Sequence, residues 1–165
     1  MNGECPKTTI PIKRPSKEDL LTAEKYGKGY QDNTLHHEYA IVYTEEGRYN
    51  GARVGLSVWK PRVQEEEFSV SQIRVWSGVR GSNLNTLEVG WQVYKGKYKD
   101  DNPRLFTHWT RDLCKDTGCY NLDCPGFIQT NSAFALGASI QPVSTYGGSQ
   151  YGMRLLIAKD PRTGD

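Results

Sequence analysis

Asn85-Thr86-Leu87-Glu88-Val89-Gly90-Trp91-Gln92-Val93-Tyr94 alternates without a break. Leu87, Val89, Trp91 and Val93 fall on one side of an extended chain, and Glu88, Gly90, Gln92 and Tyr94 fall on the other. Successive side chains of a β-strand point to opposite sides of its sheet, so a period of two marks a strand with one face in a core. The apolar set is the face expected to be buried. The other set gathers a carboxylate, an amide and a phenol around a glycine that leaves space beside Glu88. Such a face can line a cleft, with Gln92 and Tyr94 as candidate walls, or it can be an outer sheet surface with Glu88 in water. The strand alone leaves both open.

Outward from this stretch, the same pattern recurs. Phe68 to Trp76 is a long strand candidate, joined to the first by the glycine-rich connection Ser77 to Asn83. After a polar loop over Lys95 to Pro103, Arg104 to Thr110 sets Leu105, Thr107 and Trp109 against Phe106, His108 and Thr110. Upstream, Gly51 to Trp59 puts Val54, Leu56 and Val58 on one face, and His36 to Tyr43 reads as a further strand. Downstream, Gly126 to Asn131 and Ala135 to Pro142 read as shorter strands, Tyr146 to Ser149 as a turn, and Tyr151 to Lys159 as a closing strand. Many short strands with almost no helical period predict an all-β fold, an antiparallel β-sandwich or barrel, over residues 36–165. Residues 1–35 are different: Thr9 to Ile12 is extended between prolines, Ser16 can cap a short helix, and Gly27 to Asn33 has the composition of a linker.

Several functions are disfavoured at this level. The 21 basic and 19 acidic residues are interspersed, so no basic stripe speaks for nucleic acid. No apolar run approaches the length of a membrane span. There is no phosphate-binding glycine loop, dinucleotide fingerprint or Gly-x-Ser-x-Gly elbow, and no cofactor is expected. Met1 to Pro6 lacks the apolar centre of a signal peptide.

The cysteines are Cys5, Cys114, Cys119 and Cys124. Cys119 and Cys124 can close a small disulfide loop around Tyr120 to Asp123. A zinc site with Cys114 and His108 is the rival, and it lacks the paired short spacings of structural zinc sites, so no metal is expected. A disulfide implies an oxidising compartment, against the missing signal. His36 and His37 are adjacent on a strand and point apart, which suits surface positions better than shared ligation. His108 reads as a structural histidine, and Cys114 as a poor nucleophile with no helix start to lower its pKa. Carboxylate chemistry needs two groups that split a proton between them. Glu88 is the best single candidate, and no second strand-face glutamate accompanies it.

Four segments resemble one family: Glu67 to Ile73, Asn85 to Tyr94, Arg104 to Thr110, and Gly118-Cys119-Tyr120-Asn121-Leu122-Asp123-Cys124-Pro125-Gly126-Phe127-Ile128-Gln129-Thr130-Asn131. Together, and in this order, they look like the neprosin family of plant glutamic peptidases. Cys5 to Ile12 resembles the end of that family's activation peptide, making residues 1–35 its C-terminal remnant and linker and 36–165 the N-terminal part of the catalytic domain. The resemblance implies a secreted zymogen whose β-sandwich holds two glutamates in a concave cleft, where they activate water to cut peptides after proline. Glu88 falls at the first glutamate, and Cys119 and Cys124 at the family's small disulfide. The family's second glutamate lies in a downstream Gly-Gly-Glu motif, which these 165 residues lack. The expectation is therefore a partial sandwich, inactive alone, with unpaired edges and exposed apolar faces, and a monomer when complete. The alternative is a non-catalytic extracellular module that holds proline-rich peptides or cell-wall glycans on the face of Glu88, Gln92 and Tyr94, with Trp59 and Trp76.

Overall fold

The computed structural model describes residues 38–79, 83–112, 114–123 and 125–163. The chain divides into two compact units, Met1–Gly47 and Arg48–Asp165. In the first, residues 38–47 are irregular, so the strand expected over His36 to Tyr43 does not form across its described part. The extended piece at Thr9, the helix at Ser16 and the histidines at 36 and 37 lie outside the described residues.

The second unit is all-β. Among the described residues six strands follow in order: β1 (Gly51–Ser57), β2 (Phe68–Ser77), β3 (Asn85–Tyr94), β4 (Arg104–Thr110), β5 (Cys119–Tyr120) and β6 (Gly152–Ala158). They form two antiparallel sheets, one of β1 and β6 and one ordered β2-β3-β4-β5. Alternation fixed β3 and β4 with the bounds read from the sequence. A single helical turn, α1 (Lys95–Tyr98), interrupts the expected loop and ends where Lys99 adopts φ 61°, its N–H donating to the Lys95 carbonyl. This turn brings Tyr98 back toward β3.

Two expected strands are absent. Over 126–131 the backbone is irregular. Gly126 has φ 134° and lies so close to the Trp109 ring that a Cβ would come within 2.3 Å of it, and the Gln129 amide donates to the carbonyls of Asn131 and Phe134. Side-chain bonds of this kind compete with a ladder. Over 135–142 only Ser139 bridges, to Arg104. Gly137, at φ 78°, and the turn from Ala138 N–H to the Ala135 carbonyl break the run.

The core lies between the two sheets. Val58, Trp91 and Val93 form its centre, with Leu56, Trp59, Ile140 and Met153 packed around them. The Trp91 indole N–H donates to the Ser57 carbonyl at 2.9 Å, tying β3 to the end of β1. The β1–β6 pair thus covers the Trp91–Val93 end of the apolar face. Leu87, on the same face, is 54% exposed. The expectation that Leu87 to Val93 would all be core therefore holds for half of the strand. The opposite face is the better buried: Thr86, Glu88 and Gln92 are 5%, 7% and 2% exposed. Glu88 does not face water on an outer surface.

Candidate functional site

Directly paired residues of an antiparallel ladder share a face. Glu88 pairs with Arg74 of β2 and with His108 of β4, and His108 pairs with Tyr120 of β5. One row therefore crosses the sheet as Arg74, Glu88, His108, Tyr120. The neighbouring rows are Trp76, Thr86, Thr110 on one side and Gln72, Gly90, Phe106 on the other.

The row and its neighbours converge on one carboxylate. The Gln72 amide donates to Glu88 Oε2 at 2.8 Å, and an Arg74 guanidinium N–H donates to the same oxygen at 3.0 Å. Thr86 Oγ1 donates to Oε1 at 3.1 Å, and His108 Nδ1 stands 3.6 Å from Oε1. Burial alone would push the Glu88 carboxyl upward and is the largest influence on it. Together, His108 beside Oε1 and the Arg74 ion pair outweigh it and hold Glu88 below its ordinary 4.5. Glu88 is thus an ionised carboxylate in a largely water-excluded place.

The space beside Gly90 is not a gap. A Cβ there would lie 2.7 Å from Gln72 Cα and 2.1 Å from the Ser71 carbonyl oxygen. The strands approach so closely that Gln72 occupies the place the sequence reading left open. Gln92 and Tyr94 share the face with Glu88 and lie further along β3, without contact to it. The Gln92 amide donates to Tyr98 Oη at 2.8 Å, and the Asn121 amide reaches the same oxygen. Gln92 thus anchors α1 and is closed off from solvent. Tyr94 packs its ring 5.7 Å from that of Phe68, its cross-strand partner.

Beyond His108, the Tyr120 ring lies 4.6 Å away by centroid, with the Lys97 ammonium 5.2 Å above it. The other rim is the loop after β4. There Asp112 accepts bonds from Thr110 Oγ1, Thr117 Oγ1 and several backbone N–H groups, which keep its carboxyl low against desolvation. Cys114 is a free, exposed thiol in this loop. Burial raises its pKa, and the charges of Glu88 and Asp112 push the same way. A nucleophilic thiolate paired with His108 is therefore not what this loop builds. Cys119 is disulfide-bonded and so leaves the zinc ligand set considered above. Cys124 lies outside the described residues.

The sequence reading found Glu88 and missed Gln72, Arg74 and Thr86, and it took His108 for a structural side chain. A signal was present. If Phe68–Trp76 and Asn85–Tyr94 form a hairpin closed at Ser77 and Asn85, counting back pairs 74 with 88 and 72 with 90.

A family model described as Neprosin matches residues 65–165, more than half of the chain and all of β2 to β6. The chain belongs to the neprosin family.

Proposed function

We propose that this neprosin-family chain carries, at Glu88, the base half of a glutamic peptidase. The observation behind this reading is a buried carboxylate held by donors from β2 and β3, with His108 of β4 3.6 Å away on the same sheet face. An ionised Glu88 takes a proton from water as the water oxygen bonds to the peptide carbonyl carbon and the C=O π pair moves onto oxygen. When that pair returns, the C–N bond breaks, and the leaving nitrogen keeps the bonding pair and takes the proton from Glu88. The products are a carboxylic acid and an amine.

The oxyanion of the intermediate needs a donor of its own, which Glu88 cannot be while it is taking the proton of the water in that same step. Glu88 is the only Asp or Glu on β2, β3, β4 and β5, and the 165 residues contain no Gly-Gly-Glu. In a two-carboxylate mechanism the general acid contributes about 10²–10⁴-fold in rate, so Glu88 acting by itself gives slow turnover at most. Its substrates are proline-containing peptides or proteins, cut after proline, and its setting is extracellular. The disulfide at Cys119 supports an oxidising compartment.

One observation favours a second reading. Trp76 is 53% exposed on the Glu88 face, one row from the carboxylate. An exposed indole beside a fixed charge can hold a proline ring or a sugar without cutting anything.

The test is incubation with a proline-containing peptide at acidic pH, read by mass spectrometry, for the parent chain and Glu88→Gln. Slow cleavage after proline in the parent and none in the variant is expected. Turnover unchanged in Glu88→Gln overturns the peptidase reading. Saturable binding without cleavage, indifferent to Glu88→Gln and lost in Trp76→Ala, establishes the binding module instead.

A further inference from the structure

The two oxygens of Glu88 are held differently. Oε2 accepts from the Gln72 amide at 2.8 Å and the Arg74 guanidinium at 3.0 Å, whereas Oε1 accepts the Thr86 hydroxyl at 3.1 Å. His108 Nδ1 also stands 3.6 Å from Oε1, so each oxygen faces a nitrogen of a basic side chain, and the amide of Gln72 is on the Oε2 side. Gln72 reaches Oε2 only because of what faces it. It pairs directly with Gly90, and a Cβ at 90 would come 2.8 Å from Gln72 Cβ and 2.7 Å from its Cα. Contacts that short do not occur between real side chains, so any larger residue would force β2 and β3 apart. The glycine lets the Gln72 side chain lie diagonally toward Glu88, its neighbour two residues back along β3.

We propose that Gln72, seated against Gly90, is a positioning residue that fixes Oε2 of Glu88 and so holds the carboxylate in the orientation in which it takes the proton of the attacking water. The inference rests on Glu88 being the base. An amide is suited to this task because it donates at every pH and does not titrate. A carboxyl at the same position would share a proton with Glu88 and blur the two oxygens. Arg74 supplies charge at the same atom, being the direct partner of Glu88. On the far side His108 faces Oε1 at 3.6 Å, and Tyr120 and Cys114 are the titratable groups beyond it.

The experiment reads the side-chain carboxyl of Glu88 by ¹³C NMR through an acid titration, and so does not depend on turnover. Three variants are compared with the parent: Gln72→Leu, Gln72→Glu and Gly90→Ala. Gln72→Leu removes the donor and moves the Glu88 midpoint upward. Gln72→Glu places two carboxyls together, and the single step splits, with one component above the ordinary carboxylate range. Gly90→Ala leaves Gln72 in the chain and displaces it, and it shifts the midpoint in the same direction as Gln72→Leu. Folding of each variant is checked by its amide spectrum. If Gln72→Leu and Gln72→Glu both keep the parent's titration while folded, Gln72 does not hold Glu88 and the proposal is overturned. Should the peptidase reading fail instead, Glu88→Gln would leave cleavage or binding unchanged while these titration shifts persist, which separates the two failures.

Discussion

The two faces of β3 are buried for different reasons. On the apolar face, Trp91 and Val93 are enclosed by the β1–β6 pair, while Leu87, six residues before Val93 on the same face, is half exposed. On the polar face, Thr86, Glu88 and Gln92 are enclosed along the whole strand. Each of them has a hydrogen-bond partner there: Thr86 and Glu88 each other, Glu88 also Gln72 and Arg74, and Gln92 Tyr98. Burial of the polar face is therefore conditional on satisfied bonds, since a buried polar group without a partner costs about 1–3 kcal/mol. Burial of the apolar face depends only on whether another layer lies over it.

The sharpest way to break this comparison is at the covered end of the apolar face. Trp91→Ala removes the centre of the inter-sheet core and its bond to the Ser57 carbonyl, and should cost about 3–5 kcal/mol in chemical denaturation. A cost near zero would mean that the two sheets do not share a core at that place.

Next comes the polar face. Arg74→Met strands the Glu88 carboxylate, for which fully buried pairs predict about 3–5 kcal/mol. The Arg74 side chain is 34% exposed, so solvent screening lowers the expectation to about 2 kcal/mol. In the same variant the influence of burial is no longer outweighed to the same extent, and the Glu88 titration moves upward. A neutral Arg74→Met would show that the ion pair offsets little more than its own desolvation.

The pH dependence is a smaller effect with a fixed sign. The folded-state pKa of Glu88 lies below its ordinary 4.5, so the stabilisation is fully present above that value and is lost as the pH falls through the folded one. Asp100 adds to the same trend: its hydrogen bond with Arg104 holds it at about 2 against an ordinary 3.8. Denaturation midpoints should fall between pH 4.5 and pH 2, and less steeply in Arg74→Met. A stability that rises over this range would contradict the ionised state of Glu88.

The smallest effect belongs to Leu87. Leu87→Ala should cost less than about 1 kcal/mol, because half of the side chain is already in water. A cost matching that of Trp91→Ala would mean that something covers Leu87 in solution.

These contrasts also mark how far the sequence could be read. The bounds of β3 and β4 were legible because their alternation is strict, and β1 and β6 showed the correct inward residues, Val54, Leu56 and Met153 among them. Which face of β3 is enclosed was not legible. Hydropathy ranks Leu87 as core and Glu88 as surface, and neither ranking includes the donors on β2 that arrive only with the register. Gly90 illustrates the point: in the sequence it reads as empty space, and in the fold it is the place where Gln72 closes in. The strands expected over 126–131 and 135–142 failed for a related reason. Their short apolar runs carry period-two signals, but Gln129 holds the Asn131 and Phe134 carbonyls, and Gly137 at φ 78° with the turn from Ala138 N–H to the Ala135 carbonyl breaks the second run although it bonds to β4.

The most direct test of the central idea, that the polar face of β3 holds a buried and ionised carboxylate, is the site-resolved titration of Glu88 in the parent chain. A single step below the ordinary 4.5 is the expected result. A step at or above that value would mean that Glu88 is held neutral by its burial, and it would remove the base from the proposed hydrolysis.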